Sequence, residues 1–136
     1  LEISLSDLAE IASKLGADVP FFLYDAPMLA TGIGTNLKPF SLHLPYKIHL
    51  ITPLIHSSTV AAYKQLRPEM YSGKLDLAEV LRMPIETWRE HLPNDLEKAV
   101  FALYPAIAKI KAELYEQGAI YAAMSGSGSA MFGLFV

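Results

Sequence analysis

Cysteine is absent from the 136 residues, so the chain has no disulfide framework, no thiolate nucleophile and no cysteine-based metal site. Charge is sparse: 11 Lys and Arg stand against 14 Asp and Glu, a formal net charge of −3, with no basic block to follow a phosphate backbone. The aromatic residues are not interleaved with a basic strip either, which argues against nucleic acid as a partner. No run approaches the roughly 18 consecutive apolar residues of a membrane span, and no basic segment precedes an apolar one at the start. A soluble, cytoplasmic protein with no membrane partner is the expectation. His43, His49, His56 and His91 lack the close helical pairing of a zinc hydrolase, so they read as structural or surface residues and no metal ligands are assigned. Internal repeats, low-complexity tracts and long heptad runs are missing as well.

Apolar residues make up 52% of the chain, ample for a core in a length that suits one domain. Ser4 followed by Asp7 reads as a cap. Leu5, Leu8, Ile11, Ala12 and Leu15 then recur at helical spacing up to Gly16, predicting a helix over Ser6 to Leu15 with one buried face. Val19 to Leu23 and Met28 to Ile33 look like strands meeting at the Asp25-Ala26-Pro27 turn, which leaves Asp18 in a helix-to-strand connection. Lys38 to Pro45 is a boundary, and Tyr46 to Thr52 has the composition of a central strand. Ser57, Ser58 and Thr59 offer cap donors for a helix ending near Leu66. Short helical patterns follow at Leu75 to Leu81 and Ile85 to Arg89, then a helix over Asp95 to Leu103. A further helix is bracketed by Pro105 and Gly118. Strands over Ala119 to Met124 and Ala130 to Val136 complete an α+β pattern, a small antiparallel sheet covered by helices.

The last two strands are joined by Ser125, Gly126, Ser127, Gly128 and Ser129. Such a loop admits close backbone approach, and its N–H groups and hydroxyls are able to face an anion. An ordinary Gly-rich hairpin turn fits the spacing equally well.

Taken in order, Gly16-Ala17-Asp18-Val19-Pro20-Phe21-Phe22, Asn94-Asp95-Leu96-Glu97, Tyr104-Pro105, Gly118-Ala119 and Met124 through Phe135 closely resemble the C-terminal half of a family of GHMP kinases. Its members use ATP to phosphorylate the 2-hydroxyl of 4-diphosphocytidyl-2-C-methyl-D-erythritol in non-mevalonate isoprenoid biosynthesis. The resemblance implies that Asp18 is the catalytic carboxylate and that Ser125 to Ser129 shape the phosphate region, by direct contact or as structural support. It also implies that Tyr63 stacks on cytosine and that Thr59 lies near the polyol. As residues alone, Tyr63 on its helix reads equally as core packing and Thr59 as the helix N-cap.

Residues 1–40 would then end an N-terminal domain and 41–136 form the C-terminal one. ATP with Mg²⁺ is implied by the reaction. The family's Pro-x-x-x-Gly-Leu-Gly-Gly-Gly-Ser-Ser loop and its N-terminal lysine have no counterpart here, and the chain starts at Leu1 without a methionine. The resemblance therefore makes a missing N-terminal segment of the same protein the partner of this chain, which alone would be inactive. It further implies exposed apolar surface along the Leu5 to Leu15 helix and the Val19 to Ile33 strands. Tyr24-Asp25-Ala26-Pro27 replaces a glycine-bearing turn, and Gly34-Thr35 replaces a Gly-Glu pair. Two alternatives stand beside the kinase half: a non-catalytic nucleotide or small-molecule binding module derived from the same fold, and a GHMP kinase for another substrate.

Overall fold

Helix α1 (Leu5–Ser13) starts at Ser4 in a computed structural model that describes residues 3–136. Ser4 Oγ accepts from the Asp7 N–H at 3.1 Å and donates to the Asp7 carboxylate at 2.6 Å, so the cap forms as the spacing predicts. Contacts divide the chain after His43 into two compact units.

In the first unit only Ala12 of α1 is buried, while Leu5, Leu8 and Ile11 are exposed. The expected buried face is therefore open. The exposed apolar surface implied by the resemblance is present, extending to Leu15 at 78% and Phe22 at 79% relative exposure.

Val19–Leu23 is a 3-10 helix, not the expected strand. Pro20 fixes φ in its first turn, and the Phe21 and Tyr24 N–H groups donate back to Asp18 and Phe21 carbonyls. A short apolar run fits strand or helix equally, and here proline decides it. Strand β1 (Met28–Thr31) instead pairs antiparallel with β2 (Asn36–Pro39), from Met28↔Pro39 to Thr31↔Asn36. Two glycines with positive φ, Gly32 and Gly34, shape the turn between them.

The second unit holds the larger core. Its sheet has the order β3-β5-β4, all antiparallel, built from β3 (Lys47–Ile51), β4 (Tyr121–Met124) and β5 (Met131–Phe135). β3 is thus an edge strand, not the expected central one, with Ile48 and Leu50 exposed. The central place falls to β5.

Around the sheet lie α2 (Thr59–Gln65), α3 (Leu77–Val80), α4 (Trp88–His91), α5 (Leu96–Leu103) and α6 (Pro105–Glu116). The α+β class with helices over small antiparallel sheets agrees with the sequence pattern. α6 packs on β4 and β5, and α5 packs on α6 and α2. Ala62, Val100, Ile107, Leu114, Ala122, Met124 and Met131 form the core between them. The contact is close at Gly133, where a Cβ would lie 3.1 Å from Leu114 Cδ2 and 2.9 Å from Phe135 Cε2. No side chain fits there without movement.

β4 is the other edge of the sheet. Its outer backbone groups at Ala122 are taken by one hydroxyl: the Ala122 N–H donates to Tyr115 Oη at 3.1 Å, which donates to the Ala122 carbonyl at 3.3 Å. An edge closed by side chains offers no template to another strand. The Arg89 guanidinium sits 4.2 Å from the centre of the Tyr115 ring, within cation–π range. Tyr121 packs edge-on against Trp88 and donates to the Leu92 carbonyl at 2.7 Å. Burial, followed by the neighbouring Glu97 and Tyr115, pushes its phenol far above the ordinary tyrosine range.

Candidate active site

Asp18 stands at the N-terminal end of the 3-10 helix, on the short turn that follows α1. Its side chain is exposed and does not cap that helix, and among the described residues nothing hydrogen-bonds or ion-pairs with its carboxylate. The β1–β2 turn passes close by: a Cβ at Gly34 would come within 3.4 Å of Asp18 Oδ1, and Gly34 has φ +96°. Glycine thus leaves one flank of the carboxylate clear and keeps the turn unstrained.

In the second unit the Gly/Ser segment is a tight loop from β4 to β5. The Ser125 N–H donates to the Ala130 carbonyl and the Gly128 N–H to the Ser125 carbonyl, both at 2.9 Å. Gly126 and Gly128 have φ of 55° and 78°, the left-handed region that glycine enters freely. A Cβ on Gly128 would lie 2.7 Å from Met124 Sδ. Among the described residues, the N–H groups of Gly126, Ser127 and Ser129 have no protein partner. The loop therefore spends two amides on its own shape and keeps three available as donors.

The start of α2 is tied to this loop. Ser57 Oγ donates to the Ser127 carbonyl at 2.8 Å, and Thr59 Oγ1 and Ser127 Oγ share a hydrogen bond of 2.8 Å. Ser58, not Thr59, is the N-cap, accepting from the Ala61 N–H. That corrects the capping alternative for Thr59, whose hydroxyl is free to work at the loop. Tyr63 lies four residues on, on the same face of α2, with 60% relative exposure. Its alternative as a core residue is thereby overturned.

Thr59, Tyr63 and the 125–129 loop thus belong to one surface of the second unit, and Asp18 belongs to the first unit. Two contributors lay outside the sequence assignment. Ser57 reads only as a cap donor. Asn94 lies in the Asn94-Asp95-Leu96-Glu97 segment that carries the resemblance but receives no role from it, and its Nδ2 donates to the carbonyls of Met124 and Gly126 at 2.9 and 2.8 Å. An Asn or Ser at a helix start is the available signal, and it does not distinguish capping from loop support.

Among the described residues no three His, Asp or Glu side chains gather as a metal site, and no helix is long and apolar enough to cross a membrane.

Residues 77–135, which include β4, β5 and the Gly/Ser hairpin loop, match the family model of GHMP kinases C terminal, and the chain is homologous to the GHMP kinase superfamily in its C-terminal domain region. It is 45% identical over 136 residues to the 4-diphosphocytidyl-2-C-methyl-D-erythritol kinase of Parabacteroides distasonis, which takes in 99% of this chain and 49% of that protein. The enzyme of that description from Porphyromonas gingivalis is 46% identical over 140 residues, 99% of this chain and 50% of its own length. A crystal structure of a 4-(cytidine 5'-diphospho)-2C-methyl-D-erythritol kinase superposes with a TM-score of 0.82 at 35% identity, over 94% of this chain and 47% of that one. The chain is homologous to these kinases, and it spans about half the length of the curated relatives it matches.

Proposed function

We propose that the protein carrying this chain transfers the γ-phosphoryl group of ATP to the 2-hydroxyl of 4-diphosphocytidyl-2-C-methyl-D-erythritol. Residues 1–40 then end its N-terminal domain and 41–136 form its C-terminal domain. The observation that carries this reading is the β4–β5 loop, with three spare amide donors and a hydroxyl link to the helix that bears Tyr63. Spare amides in a glycine loop suit phosphate oxygens, and an exposed tyrosine ring suits a base plane.

In the reaction, the substrate's 2-hydroxyl oxygen bonds to the γ-phosphorus as the bond to the β–γ bridging oxygen breaks and ADP leaves. Asp18 orients that hydroxyl and takes its proton, which passes on to water. The Gly126, Ser127 and Ser129 N–H groups donate to phosphate oxygens. Thr59 keeps a hydroxyl lone pair for the polyol while bonded to Ser127, since one hydroxyl both donates and accepts. The reaction class implies ATP as its magnesium complex, in which the ion would supply charge neutralisation at the triphosphate.

The test is an assay of the full-length protein with ATP, Mg²⁺ and the cytidine-linked substrate, followed by mass spectrometry for a gain of one phosphoryl group and for ADP. Stoichiometric product and ADP are expected. ATP binding without product would favour a nucleotide-binding module instead. In the same assay, Tyr63→Ala is expected to raise the KM of the cytidine substrate about 10-fold, the loss of one base–aromatic stack, with a smaller change in kcat and in the KM of ATP. Tyr63→Phe keeps the ring and should stay near wild type.

A further inference from the structure

The loop leaves the sheet at Met124, whose N–H and C=O both point off the outer edge of β4, away from β5. Two side chains three residues apart at the start of α5 take them. Glu97 Oε1 accepts from the Met124 N–H at 2.8 Å, and Asn94 Nδ2 donates to the Met124 carbonyl at 2.9 Å. Asn94 Nδ2 also donates to the Gly126 carbonyl at 2.8 Å, reaching into the loop itself.

Neither side chain is free to turn. Asn94 Oδ1 accepts from the Leu96 N–H at 3.0 Å, which fixes the amide plane, and Glu97 Oε2 is held by the Lys111 ammonium from α6. Glu97 is 8% exposed, a buried carboxylate that the proposed chemistry does not use. Tyr115 already closes the β4 edge at Ala122, so a strand-like edge alone does not require these two residues to extend the closure into the loop.

We infer that Asn94 and Glu97 are positioning residues for phosphoryl transfer. They hold Met124 and Gly126 so that the loop keeps the Gly126, Ser127 and Ser129 amides turned to a phosphate and not to its own carbonyls. The inference rests on the kinase reading proposed above. A loop held by three hydrogen bonds from a rigid helix start is pre-organised, and small displacements of such groups are costly to rate.

The experiment uses the full-length protein and the variants Asn94→Ala, Asn94→Asp, Glu97→Leu and Glu97→Gln. Steady-state kinetics, ATP affinity by calorimetry and hydrogen exchange of the peptide spanning 124–130 are measured below each variant's melting temperature. Asn94→Ala is expected to lower kcat/KM for ATP about 10-fold or more and to speed loop exchange by a similar factor, with the KM of the cytidine substrate within about 2-fold. Asn94→Asp removes both donors and sets a carboxylate against two carbonyls, so it should lose at least as much. Glu97→Gln keeps an acceptor for the Met124 N–H and should recover most of what Glu97→Leu loses, even though both forfeit the ion pair.

A merely structural role would lower the melting temperature of all four variants while leaving the ATP parameters of the folded enzyme in place, and that result overturns the inference. So does faster loop exchange in Asn94→Ala with unchanged kcat/KM for ATP. If the wild type makes no product, the kinase reading itself has failed. Calorimetry then decides for the loop: weaker ATP binding in Asn94→Ala upholds its positioning, and equal binding or none at all overturns it.

Discussion

Full-length protein carrying Asp18→Asn is expected to keep its fold and lose kcat by a factor of about 10² to 10⁴, the range supplied by a positioned general base. The fold is safe because the Asp18 carboxylate is exposed and makes no cap, ion pair or hydrogen bond among the described residues. Changes at such sites stay within about 0.5 kcal/mol, so the melting curve serves as the control. Asparagine retains the size and one acceptor oxygen but does not take a proton at neutral pH. Comparing it with Asp18→Ala therefore divides the two roles of the carboxylate. If the hydroxyl only needs orienting, asparagine should retain far more activity than alanine; if its proton must be accepted, the two fall together. KM for either substrate should move little in both variants, and an unchanged kcat in Asp18→Ala would remove this residue from the mechanism. Gly34 borders that carboxylate, and its φ of +96° is what favours glycine in the turn, since a Cβ there would only touch Asp18 Oδ1 at 3.4 Å.

The second large effect is on stability. Lys111→Met should destabilise the folded protein by about 3 to 5 kcal/mol, because it leaves Glu97 as a buried charge without its counter-ion. The side chains of Lys111 and Glu97 are 24% and 10% exposed, so water compensates little. In thermal unfolding this corresponds to a fall of about 10 °C or more for the transition that reports residues 44–136. Adding Glu97→Gln to Lys111→Met should restore much of the loss, since the glutamine oxygen still accepts from the Met124 N–H without carrying charge. The contrast matters more than either value. A double variant as unstable as Lys111→Met would mean that the damage comes from lost packing of the lysine stem, not from the stranded carboxylate.

Features fixed by neighbours in sequence were legible from the chain. The Ser4 and Asp7 cap, the proline start and glycine end of α6, and the hairpin around Ser125 to Ser129 each depend on residues within one turn or one loop. Features fixed by distant partners were not. The composition of Tyr46 to Thr52 identifies a strand and suggests a central one, yet the strand lies at the edge because β5 pairs with both others. Asn36–Pro39 carries a lysine and a proline that read as a boundary, yet it is held as a strand by pairing with Met28–Thr31. Val19–Leu23 forms a 3-10 helix where a strand is expected, because five apolar residues satisfy either period. At the site, spacing alone left the Gly/Ser loop as a possible plain turn, and Asp18 drew its role from resemblance. Ser57 and Asn94 act across 70 and 32 residues, a reach that no local pattern encodes.

The order of strands in the larger sheet sets a timetable for synthesis. β3 and β4 never touch as ladder partners; each pairs only with β5, so that Lys47 waits for Phe135 and Tyr121 for Leu134. On a ribosome, β3 emerges first and passes the whole making of α2 to α6 with both edges unsatisfied. The helices, rich in contacts between near neighbours, are able to form meanwhile, whereas the sheet has no partial version to occupy. It assembles in a single late event, when the strand between the other two arrives, and until then the nascent chain presents two unpaired apolar strands to its surroundings.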